Sequence, residues 1–195
     1  MGDNRNNVFE QQPTIDLSRI SEGVKLILEG LGEDPNREGL AETPRRVAKM
    51  YKELCQPEQF KATSFLNQEQ YDQIVMVRNI PFFSLCEHHM IPFFGTATVG
   101  YIPQKEYLGL SKLARAVQYF SRRLQVQERL TTQVAEWLME FANPLGVGVI
   151  ITARHLCMEM RGVQKIGNDT VSSAMLGAFR EEQSARQEFL CLAQL

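Results

Sequence analysis

Two strand-like segments flank Ser84-Leu85-Cys86-Glu87-His88-His89-Met90-Ile91-Pro92, and no other stretch constrains the fold as much. It places a thiol, a carboxylate and two imidazoles at four consecutive positions. The chain has 3 histidines. The third, His155, lies two residues before Cys157 in a second cluster, Arg154-His155-Leu156-Cys157-Met158-Glu159-Met160-Arg161. A fold that uses both clusters must bring two distant parts of the backbone to one place.

Cys86 and His89 have Cys-x2-His spacing, which lets both side chains converge from one turn, and Cys157 lies on a segment able to pass beside it. Thiolate and imidazole are ligands that zinc prefers, and two Cys with one His leave a fourth position open for catalysis. Spacing alone leaves three readings open. They are a catalytic zinc, a closed structural zinc with His155 or His88 as fourth ligand, and buried cysteines with no metal. Adjacent side chains point in different directions, so one of His88 and His89 is free for acid-base work, and His155 is a second proton-transfer candidate.

The chain divides into a polar tail, residues 1–13, too poor in apolar groups to offset the entropy of ordering, a helical region, 14–60, and a larger domain, 61–195. In the helical region, Leu17, Ile20, Val24, Ile27, Leu28 and Leu31 recur at helical spacing before Gly32, and Thr43-Pro44 opens a second helix. Gln56 to Gln70 is a polar stretch. Strands are expected over Gln73–Ile80 and Gly95–Ile102, with the first cluster as their connection.

From Gly109 to Asn143-Pro144 a long helical region runs, with a break expected where Gln125-Val126-Gln127-Glu128 shifts the phase of the apolar stripe. The β-branched run Gly146–Ala153 reads as a strand that continues into the second cluster. Alternation along it puts His155, Cys157, Glu159 and Arg161 on one face and Leu156, Met158 and Met160 on the other. Asn168–Ser173 is small and polar, and a helix over 179–195, with Phe189, Leu190 and Leu192 inward, ends the chain.

Formal charge is -2, from 21 Lys and Arg against 23 Asp and Glu, so there is no global reason to expect a nucleic-acid or membrane partner. An anion must be caught locally. Gly109-Leu110-Ser111-Lys112-Leu113-Ala114-Arg115 offers this at a helix start, with backbone N–H groups, a hydroxyl and two cations, and Arg161 can add another guanidinium. Arg122-Arg123 reads as a solvated face. Glu128, beside Gln127, can accept two N–H groups from a guanine-like edge, or is a surface carboxylate. The 4 cysteines are dispersed and no apolar leader precedes them, so reduced thiols in a cytoplasmic protein are expected.

Assembled, these motifs resemble the GTP cyclohydrolase I family. The likeness runs from Thr43-Pro44-Arg45-Arg46-Val47-Ala48 through Cys86-Glu87-His88-His89, Gly109–Arg115 and Arg123-Leu124-Gln125-Val126-Gln127-Glu128-Arg129-Leu130-Thr131 to His155-Leu156-Cys157-Met158 and Arg161-Gly162-Val163. A nucleobase deaminase would instead carry His-x-Glu and a later Pro-Cys-x2-Cys, which this chain lacks.

The resemblance implies an α+β tunnelling fold, an antiparallel sheet with two helices on one face, here preceded by an N-terminal helical pair. It implies Zn2+ held by Cys86, His89 and Cys157, with His88 and His155 moving protons. It implies triphosphate contacts from Ser111, Lys112, Arg115 and Arg161, with Arg46 and Lys49 acting across a subunit boundary, and guanine recognition by Gln127 and Glu128. The implied reaction converts GTP and water to 7,8-dihydroneopterin 3'-triphosphate and formate, the first step of pterin and tetrahydrofolate biosynthesis, in a homodecamer with interfacial sites. Gly167-Asn168-Asp169-Thr170 departs from the family's usual Asn, Ser, Lys and Thr stretch.

Overall fold

A computed structural model of the chain describes residues 14–194, so the tail expected over residues 1–13 lies outside the described residues. Asp16 caps α1 (Leu17–Gly30), its carboxylate accepting from the backbone N–H groups of Ser18 and Arg19. Gly32, at φ 79°, takes the left-handed turn after it. Thr43 lies inside α2 (Thr43–Cys55) rather than capping it: Glu42 holds the cap position without a side-chain bond, and Pro44 fits the first turn, where no N–H partner is needed. The two helices pack on each other through Val24, Leu28 and Ala48. The other half of the α1 stripe stays open, since Ile27 and Leu31 are exposed.

The order continues β1 (Ser64–Leu66), β2 (Val75–Cys86), β3 (Pro92–Ile102), β4 (Glu106–Leu108), α3 (Leu110–Ser121), β5 (Leu124–Gln125), α4 (Gln127–Ala142), β6 (Gly146–His155), α5 (Leu156–Glu159), β7 (Thr170–Gly177), α6 (Ala178–Glu181) and α7 (Gln183–Gln194). One sheet has the order β5-β2-β3-β6-β7, antiparallel except for the short β5 beside β2, and β1 pairs with β4 in a two-stranded ribbon. This is the expected α+β layout.

Alternation along β3 and β6 divides the two faces of the sheet. Phe93, Ala97, Val99 and Tyr101 of β3, with Val147, Val149, Ile151 and Ala153 of β6, point into a core shared with α3 and α4. On the opposite face Gly100 and Gly148 stand side by side in register, and the buried ring of Phe189 from α7 lies over them. A Cβ at Gly148 would come within 2.7 Å of that ring, and one at Gly100 would press on it at 3.0 Å. The terminal helix therefore covers the face that α3 and α4 leave free.

Several expectations from the sequence change. The first two strands are longer than expected, so the cluster between them shrinks to the turn Glu87–Ile91. The stripe break becomes the two-residue strand β5, and the polar stretch carries β1. Asn168–Ser173 leads into β7, whose small side chains hid a strand. Arg122 and Arg123 are not simply solvated: Arg122 donates to the carbonyl of Glu53 at 3.0 Å, and Arg123 lies over the Tyr119 ring.

The strand expected through the second cluster stops at His155. Leu156–Glu159 instead form one helical turn, so Cys157 and Glu159 do not share a strand face with His155. Strand alternation fails here because the chain leaves the sheet at the end of β6.

Crowding between β3 and β6 gives a stability test. A methyl at Gly95 would overlap the carbonyl of Thr152, whereas one at Gly23 in α1 meets nothing within 4 Å. In urea unfolding, Gly95→Ala is expected to lose roughly 3 kcal/mol, and Gly23→Ala to gain about 0.5–1 kcal/mol. Equal midpoints for the two variants would contradict this packing.

Candidate metal centre and substrate pocket

The site is built at the end of the sheet where β2 and β6 finish and β3 begins. After β2, the carbonyl of Cys86 accepts from the N–H groups of His89 and Met90 at 3.3 and 2.8 Å, and Cys86 N–H donates to Ile91 O at 2.9 Å. Met90, at φ 55°, closes the turn. This one helical-type turn sets Cys86 Sγ 3.9 Å from His89 Nδ1. Across β3, Phe93 pairs with His155, so β6 delivers the second cluster to the same end of the sheet. The turn α5 then carries Cys157 back toward Cys86.

Ligand atoms of Cys86, His89 and Cys157 all lie within 4.8 Å of one another. Neither cysteine is in a disulfide. Burial pushes the Cys157 thiol up, and the neighbouring Cys86 sulfur pushes it further, through charge and a hydrogen bond. Two crowded sulfurs resist joint ionisation, and a divalent cation between them reverses that preference. The donor set, its spacing and this electrostatic conflict fit a metal ion.

Each limb of the site is tied down by an arginine. Arg129 of α4 reaches Glu87 with both terminal nitrogens, at 2.5 and 3.1 Å, holding the Cys86–His89 turn against the helix. Arg154 grips Glu159 at 2.9 and 2.6 Å, spanning the α5 turn that contains Cys157. Glu159 is only 7% exposed, and its guanidinium partner holds its carboxyl below the usual carboxylate range. Arg129 does the same for Glu87. Fork-to-fork pairing fixes direction as well as distance. Neither pair was foreseen from sequence, because a pairing across the fold leaves no local pattern.

A cavity of about 270 Å³ opens beside the three ligands, lined by His88, Gln125, Glu128, His155, Met158 and Thr170 among others. His155 stacks on Phe93 with ring centroids 4.8 Å apart and planes 3° apart. Burial pulls its imidazole below the ordinary range, partly offset by the Glu128 charge. His88, whose Nδ1 is 3.6 Å from Cys86 Sγ, is exposed and 4.0 Å from Glu87. Arg161 lies past α5 in an exposed segment, its Nη1 2.9 Å from His89 Nε2.

Not every residue singled out in the sequence gathers here. Ser111, Lys112, Arg46 and Lys49 do not line the cavity, and Arg115 lines a separate one with Glu58, Gln118 and Tyr119. A roomier cavity of about 610 Å³, bounded by Lys52, Glu53, Gln56, Gln118 and Arg122, contains none of these groups. Chemistry, not volume, identifies the site. The pocket gathers two histidines and a carboxylate next to a trio able to bind a metal, while Ser111, Lys112, Arg115, Arg46 and Lys49 lie elsewhere.

The family model described as GTP cyclohydrolase I matches residues 20–194. The chain belongs to the GTP cyclohydrolase I family. It is 52% identical over 178 residues to GTP cyclohydrolase 1 of a Sulfurihydrogenibium species, covering 91% of this chain and 95% of the relative. Likewise it is 51% identical to the Aquifex aeolicus protein of the same name, covering 91% and 97%. Among solved structures, archaeosine synthase QueF-Like in the apo form is 20% identical, with TM-score 0.44, over 54% of this chain and 94% of that one. Family membership here rests on the sequence matches. The family is metal-dependent, and among the described residues Cys86, His89 and Cys157 form a group able to bind a metal.

If the two arginine ties set the ligand spacing, loosening either weakens metal binding. Arg129→Met and Glu159→Gln are each expected to reduce metal affinity about 10-fold, the lower end of what losing a direct outer partner of a ligand costs, because each acts on the ligands through the backbone. Competition against a chromophoric chelator measures this. Wild-type affinity in both variants would show that the ties play no part.

Proposed function

We propose that this chain converts GTP and water to 7,8-dihydroneopterin 3'-triphosphate and formate, the entry reaction of pterin and tetrahydrofolate biosynthesis, with Zn2+ as its metal. One observation carries the reading: the Cys86, His89 and Cys157 trio opens onto a pocket that also holds His88, His155 and Glu128, in a chain of this family. Two thiolates and one imidazole suit zinc better than harder cations, and three protein ligands leave one position open. Bound there, zinc supplies Lewis acidity and a hydroxide source at neutral pH, which hydrolysis of the guanine imidazole ring requires.

The chain's own residues divide the remaining work. Glu128 accepts two N–H groups of the guanine edge, which orients the base with its C8 toward the metal trio. His88, exposed beside Cys86, and His155, held flat against Phe93, exchange protons with the ring nitrogens as the C8 bonds are cut and formate leaves. Arg161, beside His89, is proposed to bind phosphate oxygens. A rearrangement of the ribose carbons and a ring closure follow within the same pocket.

The triphosphate needs more cation than one subunit gathers. Pockets for ligands of drug size run to roughly 300–1,000 Å³, and the cavity here is about 270 Å³, room for the base end of a nucleotide. Ser111, Lys112 and Arg115, with Arg46 and Lys49, are proposed to approach from a neighbouring subunit of a homodecamer. Support comes from the sheet edges: β7 has an open outer side among the described residues, and β5 covers only Leu85 and Cys86 of β2. Such edges call for a partner strand.

A cytoplasmic location is part of the same proposal, consistent with free thiols as metal ligands. No helix among the described residues is long and apolar enough to cross a membrane.

Incubation with GTP, with formate assayed enzymatically and pterin fluorescence read after oxidation, tests the reading. The wild-type chain is expected to release both products, and His88→Ala and Cys157→Ala to lose at least about 100-fold in rate. Unaltered turnover by Cys157→Ala would refute the ligand set, and no formate from metal-loaded wild type would refute the activity.

A further inference from the structure

The resemblance assigns Gln127 to the guanine-reading segment, yet its side chain is committed elsewhere. Gln127 opens α4, is 2% exposed, and its Nε2 lies 3.0 Å from each of Ile151 O, Thr170 O and Ser172 Oγ. Two of these three are backbone carbonyls, which can only accept. The amide nitrogen must therefore face them, and the amide oxygen must face the other way. There it meets His155 Nε2 at 2.7 Å.

That oxygen cannot donate, so His155 Nε2 must carry the hydrogen. In the neutral ring the lone pair then sits on Nδ1. The stack on Phe93 fixes the plane of the ring, and the Gln127 bond fixes its rotation within that plane. We infer that Gln127 is a positioning residue that holds His155 in the Nε2–H form, leaving Nδ1 to exchange protons with a bound molecule, and that it does not read the base with its side chain.

The inference deepens the proposed function at one point, by separating two jobs that the sequence gives to adjacent residues. Glu128 is exposed in the pocket, makes no side-chain hydrogen bond among the described residues, and keeps the recognition task. Gln127 serves the proton-transfer group. A residue holding a catalytic histidine in one tautomer affects the chemical step rather than binding.

Nitrogen NMR of protein labelled with 15N-histidine reads the tautomer directly. With 3 histidines in the chain, comparison with His155→Ala assigns the signal. A directly bonded hydrogen on His155 Nε2 is expected; one on Nδ1 overturns the inference. This result stands whether or not the protein turns over GTP, so it can fail independently of the proposed reaction.

Kinetics gives the second arm. Gln127→Met is expected to lower kcat about 10-fold or more with KM for GTP within about twofold, and to add no further loss in a His155→Ala background. Ser172→Ala, which removes one acceptor from the same tie without touching His155, should leave kcat within about twofold. A Gln127→Met protein with raised KM and unchanged kcat would make Gln127 a base-reading group after all. If that variant does not fold, the wild-type nitrogen spectrum decides alone.

Discussion

Pairing of β3 with both β2 and β6 is the constraint on which the rest depends. It aligns Leu85 with Pro92 on one side and His155 with Phe93 on the other, so that two remote clusters leave the sheet at the same end. Side chains alternate with a period of 2, and a slip of one residue would turn the His155 side chain away from Phe93 and onto the opposite face. Close glycine contacts oppose such a slip. Gly95 lies against the backbone of Thr152, and Gly100 and Gly148 lie under Phe189. The register that makes the core thus also brings the candidate metal ligands together.

Onto this frame the site is assembled from two limbs that resist collapse in different ways. The first is a tight turn whose backbone is satisfied by its own hydrogen bonds and by Glu87 N–H donating to Gln125 O at 3.0 Å. The second is a single helical turn, too short to be stable alone, and here spanned by Arg154 and Glu159. Side chains of α4 support both regions: Arg129 meets the first limb and Gln127 meets His155. The start of α4 therefore holds both the Cys86–His89 turn and His155, and itself carries Glu128. Motion of α4 relative to the sheet would disturb all three.

Legibility in the sequence followed the range of the physics involved. The β-branched runs of β3 and β6 and the stripes of α3 and α4 were readable because burial imposes a period, and the Cys-x2-His pair because one turn brings its members together. Two failures have opposite causes. The strand β7, Thr-Val-Ser-Ser-Ala-Met-Leu-Gly, is half exposed and small, so it carries no hydrophobic alternation. The α5 turn was hidden by the opposite error, an alternation extended past the point where the chain leaves the sheet. Gln127 shows the limit most clearly. Its partners, His155 and Ile151 of β6 and Thr170 and Ser172 of β7, come from two separate strands, and only the folded geometry reveals which way its amide faces. The Gly167–Thr170 departure ends on one of those partners, Thr170.

The central claim is that Cys86, His89 and Cys157 hold one zinc ion, with a coordination position kept open to the pocket. X-ray absorption at the zinc edge of the purified, substrate-free protein tests it most directly. The account predicts two sulfur neighbours near ~2.3 Å and two nitrogen or oxygen neighbours near ~2.0–2.1 Å, the second light neighbour being exchangeable solvent. A shell with no sulfur, or with only one, would contradict it.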